Sequence, residues 1–123
     1  MCIRDRLKLA GLDDAPCQLG VFADHATEQG SLLGRLTMPE TIDYSAAIAI
    51  HTLWLAARAE GLGVGWVSIL DPHRVSAILE VPGEWRFIGY LCIGYPLADD
   101  DIPVLEREGW EHRHAPSEMV LYR

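Results

Sequence analysis

The sequence predicts an α+β domain in which strands and helices alternate. Three observations carry this. Apolar runs at residues 17–23, 64–70 and 85–95 have the length and the β-branched or aromatic content of strands. Between the first two, Ile42, Ala46, Ala49, Ile50, Leu53, Trp54 and Ala57 recur at three- and four-residue steps, the period of a helix. Between the last two, Asp71-Pro72 opens a second helix, with aspartate as N-cap and proline at the first helical position. Strand, helix, strand, helix, strand is an α/β alternation.

In chain order, Leu7 to Leu12 is short and amphipathic and reads as the tail of a helix ending near Gly11. Asp13-Asp14-Ala15-Pro16 then leads into Cys17 to Ala23, a buried strand with Asp24 at its exit. His25 to Thr37 is polar and contains glycine, the composition of a loop, and Met38-Pro39-Glu40-Thr41 punctuates it. The helix from Thr41 to Glu60 is crowded with small residues (Ser45, Ala46, Ala47, Ala49, Ala56, Ala57), so it should be buried on more than one side, with Gly61 as its C-cap. Val64 to Leu70 is the second strand. The helix after Pro72 runs through Val75, Ile78 and Leu79 and stops before Pro82. Trp85 to Tyr95 is the third strand, followed by an acidic loop, a helical turn near Leu105 and the polar tail Gly109 to His114. Three strands close a core poorly, and the apolar helix wants more cover than they offer. The chain is therefore either a homo-oligomer or a piece of something larger.

Composition narrows the classes of function. A chain of 123 residues is at most one domain. Its net charge of −8, from 18 acids against 10 bases, disfavours nucleic acid or an anionic membrane as partner. No apolar run approaches the ~18 residues of a membrane span. The cysteines Cys2, Cys17 and Cys92 are odd in number and widely spaced, with Cys17 and Cys92 in apolar runs, where free cysteine behaves as a buried hydrophobe. That usage fits a reducing compartment, hence a cytoplasmic protein, and Met1 to Arg6 is followed by no apolar signal-peptide core.

The most informative segment is Gly61-Leu62-Gly63-Val64-Gly65-Trp66-Val67-Ser68-Ile69. Glycines there let something planar or phosphorylated approach the backbone, because no Cβ intervenes. A dinucleotide-binding fingerprint follows a strand and opens a helix; here the helix comes first, so a Rossmann site is disfavoured. Ser68 is the one polar side chain in the run. No base neighbours it in sequence, and a Ser-His-Asp triad is not supported. His112 and His114 lack further ligands, so no metal is expected.

These residues also carry a resemblance. Leu7-Lys8-Leu9-Ala10-Gly11, Ala15-Pro16, the run from Leu33 to Thr41, Tyr44-Ser45, Leu53 to Ile69, Tyr90 to Tyr95 and Gly109-Trp110 together resemble the 5,6-dimethylbenzimidazole synthase branch of the flavin-dependent nitroreductase family. The pairing of the Leu-Trp-Leu-Ala-Ala-Arg-Ala-Glu-Gly helix with the Gly-Val-Gly-Trp-Val-Ser-Ile strand is specific to that branch. The resemblance implies a three-layer fold of sheet and helices, a homodimer, and FMN held between subunits. It implies an enzyme that uses reduced FMN and dioxygen and converts the flavin itself into 5,6-dimethylbenzimidazole, the lower ligand of cobalamin.

Residue by residue, Ser68 matches a serine implicated in that chemistry. Gly63, Val64, Gly65, Trp66, Val67 and Ile69 match the flavin wall, and Arg113 falls where relatives place a base on the FMN phosphate. Each has a plainer alternative: a strand serine bonded to a carbonyl, glycines packing a turn, a surface arginine. The branch's Arg-Arg-Asp segment is absent, and Met1 to Arg6 do not fit what precedes the Leu-Lys-Leu motif. The expectation is a non-native leader at residues 1–6 and the C-terminal part of one domain at residues 7–123, incomplete at its N-terminus and binding FMN weakly or not at all. Two other functions stay open: a general NAD(P)H-dependent FMN nitroreductase, and a non-catalytic oligomerising piece.

Overall fold

The computed structural model describes residues 11–123. The leader expected at residues 1–6 and the start of the first helix lie outside them. A helical turn, α1 (Gly11–Asp14), comes first. It does not stop at Gly11 as expected but runs on to Asp14, where Pro16 forces the preceding residue out of helical geometry. β1 (Cys17–Asp24) follows, then an irregular loop with a 3₁₀ turn at Gln29–Leu32. Arg35 ties that loop together, its guanidinium donating to the Thr27 carbonyl at 2.6 Å.

The helix α2 (Thr41–Ala59) matches the expected span. Its end is closed as a Schellman motif: the Leu62 N–H donates to the Ala57 carbonyl at 2.8 Å and the Gly61 N–H to that of Arg58 at 3.1 Å. Gly61 makes this possible with φ +74°. Asp43, in the first turn, binds His25 Nε2 at 2.8 Å and Arg86 Nη1 at 2.9 Å, so a single carboxylate links the β1 exit, α2 and the third strand.

β2 (Gly63–Val67) is shorter than the run 64–70 suggested, and Ser68, Ile69 and Leu70 lie beyond its end. α3 (Pro72–Ile78) begins as its sequence requires, the Asp71 carboxylate accepting from the His73 N–H at 2.9 Å. β3 (Trp85–Gly94) is the central strand of an antiparallel sheet of order β1-β3-β2. Gly20 pairs with Tyr90 and Leu19 with Leu91 on one side, Gly65 with Cys92 and Trp66 with Leu91 on the other. A bulge at Val21/Phe22 shifts the β1 register. The chain ends in the acidic loop, a turn α4 (Val104–Arg107) and a 3₁₀ turn at Pro116–Glu118. In that loop the Ile102 N–H and then Arg107 hold the Asp100 carboxyl below the usual carboxylate range.

Two faces follow from the pleat. Leu79, just past α3, sits over Gly20, on the face that carries Tyr90 and Cys92. The opposite face carries Leu91, which has no exposed surface and forms the core with Ala23, Ile50 and Ala57. Two expectations are corrected. β1 is half-exposed rather than buried, because in a three-strand sheet it is an edge strand. α2 is covered on one side only: Ile50 and Ala57 are buried, whereas Ile48 is 66% and Leu55 54% exposed. A three-strand sheet offers one helix one face; the acidic loop also reaches α2, where Arg58 donates to Asp99 at 2.6 Å, but Ile48 and Leu55 stay open. Cys17 is likewise exposed and Cys92 half-buried, where both were expected inside.

Candidate functional site

The glycines after α2 open into a groove about 750 Å³ in volume. Its floor is β2 (Gly63, Gly65, Val67) with Cys92 and Gly94 of β3. One wall is the α1–β1 turn, through Leu12, Ala15 and Pro16. Ser68, Ile69, Tyr95 and Leu97 border the rim. Volume and apolar character are those of a small-molecule cleft, which spans roughly 300–1,000 Å³. Ile69, Tyr95 and Leu97 leave large apolar surfaces open around it, as a binding site does before it is covered.

What each glycine is for can be read from its surroundings. Gly61 is needed for its positive φ. At Gly94 a Cβ would come 2.9 Å from Pro16 Cδ, so this glycine lets the wall pack against the sheet. Gly89, with its neighbour Trp66, is a third structural case, since a Cβ there would collide with the indole. Gly63 and Gly65 have no such reason. Neither has positive φ, and a Cβ would find nothing nearer than 3.7 Å and 3.9 Å respectively. Both face the groove. The fold would accept alanine at either, so their bareness fits a flat group lying on the backbone, and an isoalloxazine is such a group.

Ser68 is exposed and stands at the end of β2, on the groove rim. Among the described residues its hydroxyl has no hydrogen-bond partner, and it is open to solvent. No histidine or carboxylate hydrogen-bonds to it among those residues, and the carboxylate of the groove lining, Asp14, lies elsewhere along it. Ser68 can accept or donate one proton but has no base to make it a nucleophile. Burial pushes the Cys92 thiol up, so at neutral pH it is a protonated, weakly polar part of the floor.

The structure thus brings together Gly63, Val64, Gly65, Trp66, Val67, Ser68 and Ile69 of the expected site. It does not bring Arg113. That guanidinium donates through Nε to Glu106 Oε2 at 2.9 Å and through Nη2 to the Asp101 carbonyl at 2.9 Å, in the acidic tail away from the groove. The Glu106 carboxylate thus engages the charge expected at a phosphate. His51 lies against Trp54 on α2, ring centroids 5.8 Å apart, and not at the site. No group of three or more potential metal ligands occurs among the described residues. Sequence reasoning missed the far wall, Leu12 to Pro16, and the floor residues Cys92 and Gly94. Only chain reversal through β1 and β3 places these beside β2.

With this geometry in place, comparison decides the lineage. Residues 3–95 match the nitroreductase family profile. The chain belongs to the nitroreductase family. Within the family it is 65% identical over 108 residues to a 5,6-dimethylbenzimidazole synthase of Rhodospirillum rubrum, covering 88% of this chain and 51% of that protein. A 5,6-dimethylbenzimidazole synthase of Rhodobacter capsulatus is 54% identical over 105 residues, 85% of this chain and 51% of that one. The chain therefore spans about half the length of the curated relatives it matches. A nitroreductase family protein of Streptococcus pneumoniae shares the fold, with a TM-score of 0.66 at 16% identity over 91% of this chain and 66% of that one. Another from Clostridium difficile gives a TM-score of 0.53 at 25% identity over 65% of this chain and 45% of that one.

Proposed function

We propose that the protein converts reduced FMN, with dioxygen, into 5,6-dimethylbenzimidazole, consuming the flavin as its substrate. The observation that carries this reading is the pair of groove glycines, Gly63 and Gly65, that the fold does not require, beside an exposed Ser68 on the rim. The names of the two synthases that resemble this chain most of the way along it support the choice of reaction.

In this reading the flavin ring lies on the β2 backbone, and reduced flavin supplies the electrons that dioxygen accepts. Gly63 and Gly65 allow contact at the main chain. Val67 and Ile69 supply apolar surface that displaces water, while Val64 and Trp66, whose side chains point to the other face of the sheet, border the groove along β2. Ser68 holds a proton at the ring's edge and releases or receives it there; without a neighbouring base it acts as a donor and acceptor and not as an attacking group. No metal takes part. A homodimer belongs to the same reading: the uncovered side of α2, with Tyr44, Ile48, Trp54 and Leu55 exposed, is the surface a second copy would bury.

The test is Ser68→Ala in the full native chain. One neutral hydrogen bond is worth about 0.5–1.5 kcal/mol, so FMN affinity should stay within roughly ten-fold. The yield of 5,6-dimethylbenzimidazole per reduced FMN under air should fall by ~10²-fold or more, with plain flavin oxidation taking over. Equal losses of yield and affinity would make Ser68 a structural residue. Steady NAD(P)H oxidation with no benzimidazole product from the native protein would overturn the reaction and leave a general flavin reductase.

A further inference from the structure

We propose that Gln18 is a positioning residue, whose side-chain amide holds the α1–β1 turn at a set distance across the groove from the bare backbone of β2. The inference rests on the flavin reading of that groove. Gln18 pairs with Cys92 across the sheet, and Tyr90 lies two residues before Cys92 on the same face, a diagonal neighbour within reach of a long side chain. The Tyr90 hydroxyl donates to Gln18 Oε1 at 2.7 Å. Gln18 Nε2 donates to the Leu12 carbonyl at 2.7 Å and also approaches that of Ala15 at 3.4 Å.

The chemistry of the partners fixes the amide. Main-chain carbonyls only accept, so the NH₂ end must face Leu12 and Ala15, which leaves the oxygen for the phenol. Both ends are thus used, one on the sheet's central strand and the other on the wall. Among the described residues these are the only side-chain hydrogen bonds made to the segment from Leu12 to Pro16. The described part of α1 is one turn, Gly11–Asp14, and a single turn has little stability of its own, so a tether to the sheet matters there. Tyr90 also pairs with Val67 of β2, so the tether is anchored on the strand directly beside the groove floor. Gln18 itself does not line the groove, which separates its role from contact with a ligand.

Glutamine is required for a stated reason. Glutamate has the same shape but at neutral pH donates nothing, and it would set a carboxylate against two carbonyl oxygens. Gln18→Glu therefore breaks the wall side and keeps the Tyr90 side, Tyr90→Phe does the reverse, and uncharged Gln18→Met removes both. In the full native chain, equilibrium dialysis with FMN should show affinity roughly ten-fold weaker for Gln18→Glu and Gln18→Met, and less affected for Tyr90→Phe. Amide hydrogen exchange at residues 12–15 should speed up in the two Gln18 variants, with the urea midpoint of global unfolding unchanged. Native affinity in Gln18→Met, in a protein whose native form does take up flavin, overturns this inference alone. So does unchanged exchange at residues 12–15, or a loss of affinity that merely follows a lowered urea midpoint. Failure of the native protein to take up flavin overturns the flavin reading, and the inference falls with it.

Discussion

Gly65→Ala separates a glycine kept for the fold from one kept for a ligand. In the fold, the added methyl meets nothing nearer than the Cys92 carbonyl oxygen at 3.9 Å and Cys92 Cβ at 4.0 Å, ordinary contact distances. The backbone there is not left-handed, so alanine is conformationally acceptable. Replacing glycine at such a position stabilises by about 0.4–1 kcal/mol, through the lost freedom of the unfolded chain. In the groove the effect reverses. The methyl projects ~1.5 Å from the backbone, one C–C bond, into space a ring stacked on β2 would occupy. Overpacking of that kind costs about 1–3 kcal/mol, which is roughly 5- to 150-fold in affinity. Urea denaturation and equilibrium dialysis with FMN, both on the full native chain, should therefore move in opposite directions. Gly61→Ala is the control: φ +74° makes alanine unfavourable, so it should lose stability. If Gly65→Ala leaves flavin affinity unchanged, the groove does not seat a ring on β2 and the reasoning is wrong.

Two further outcomes can be measured. Glu80 closes α3 with φ +52°, a conformation that costs a side chain roughly 1–2 kcal/mol, so Glu80→Gly should raise the urea midpoint, and a lowered midpoint would contradict it. The exposed side of α2 should drive self-association at micromolar concentration in sedimentation velocity, weakened by Ile48→Glu; a monodisperse monomer of the unaltered chain would refute this.

The sequence by itself determined the local elements, because their causes are local. The three- and four-residue apolar steps specified α2, Gly61 its end, Asp71-Pro72 the start of α3, and the apolar runs the three strands, each from interactions within a few residues. The glycine-rich segment through Ile69 was legible as a candidate site for the same reason, since bare backbone is written in the chain. Strand ends were less legible: Ser68 to Leu70 have strand-like composition, but β3 pairs with β2 only as far as Val67, and the ladder sets where a strand stops. Only the tertiary structure decided which groups share the site. Antiparallel pairing of β1 and β2 on either side of β3 carries Leu12 to Pro16, Cys92 and Gly94 to the β2 glycines. No periodicity encodes a contact between segments some fifty residues apart. The same folding assigned reasons to the glycines, demanding Gly61, Gly89 and Gly94 and leaving Gly63 and Gly65 free. It also drew Arg113 to Glu106, because a guanidinium binds the carboxylate the fold brings nearest, and sequence distance does not reveal which one that is.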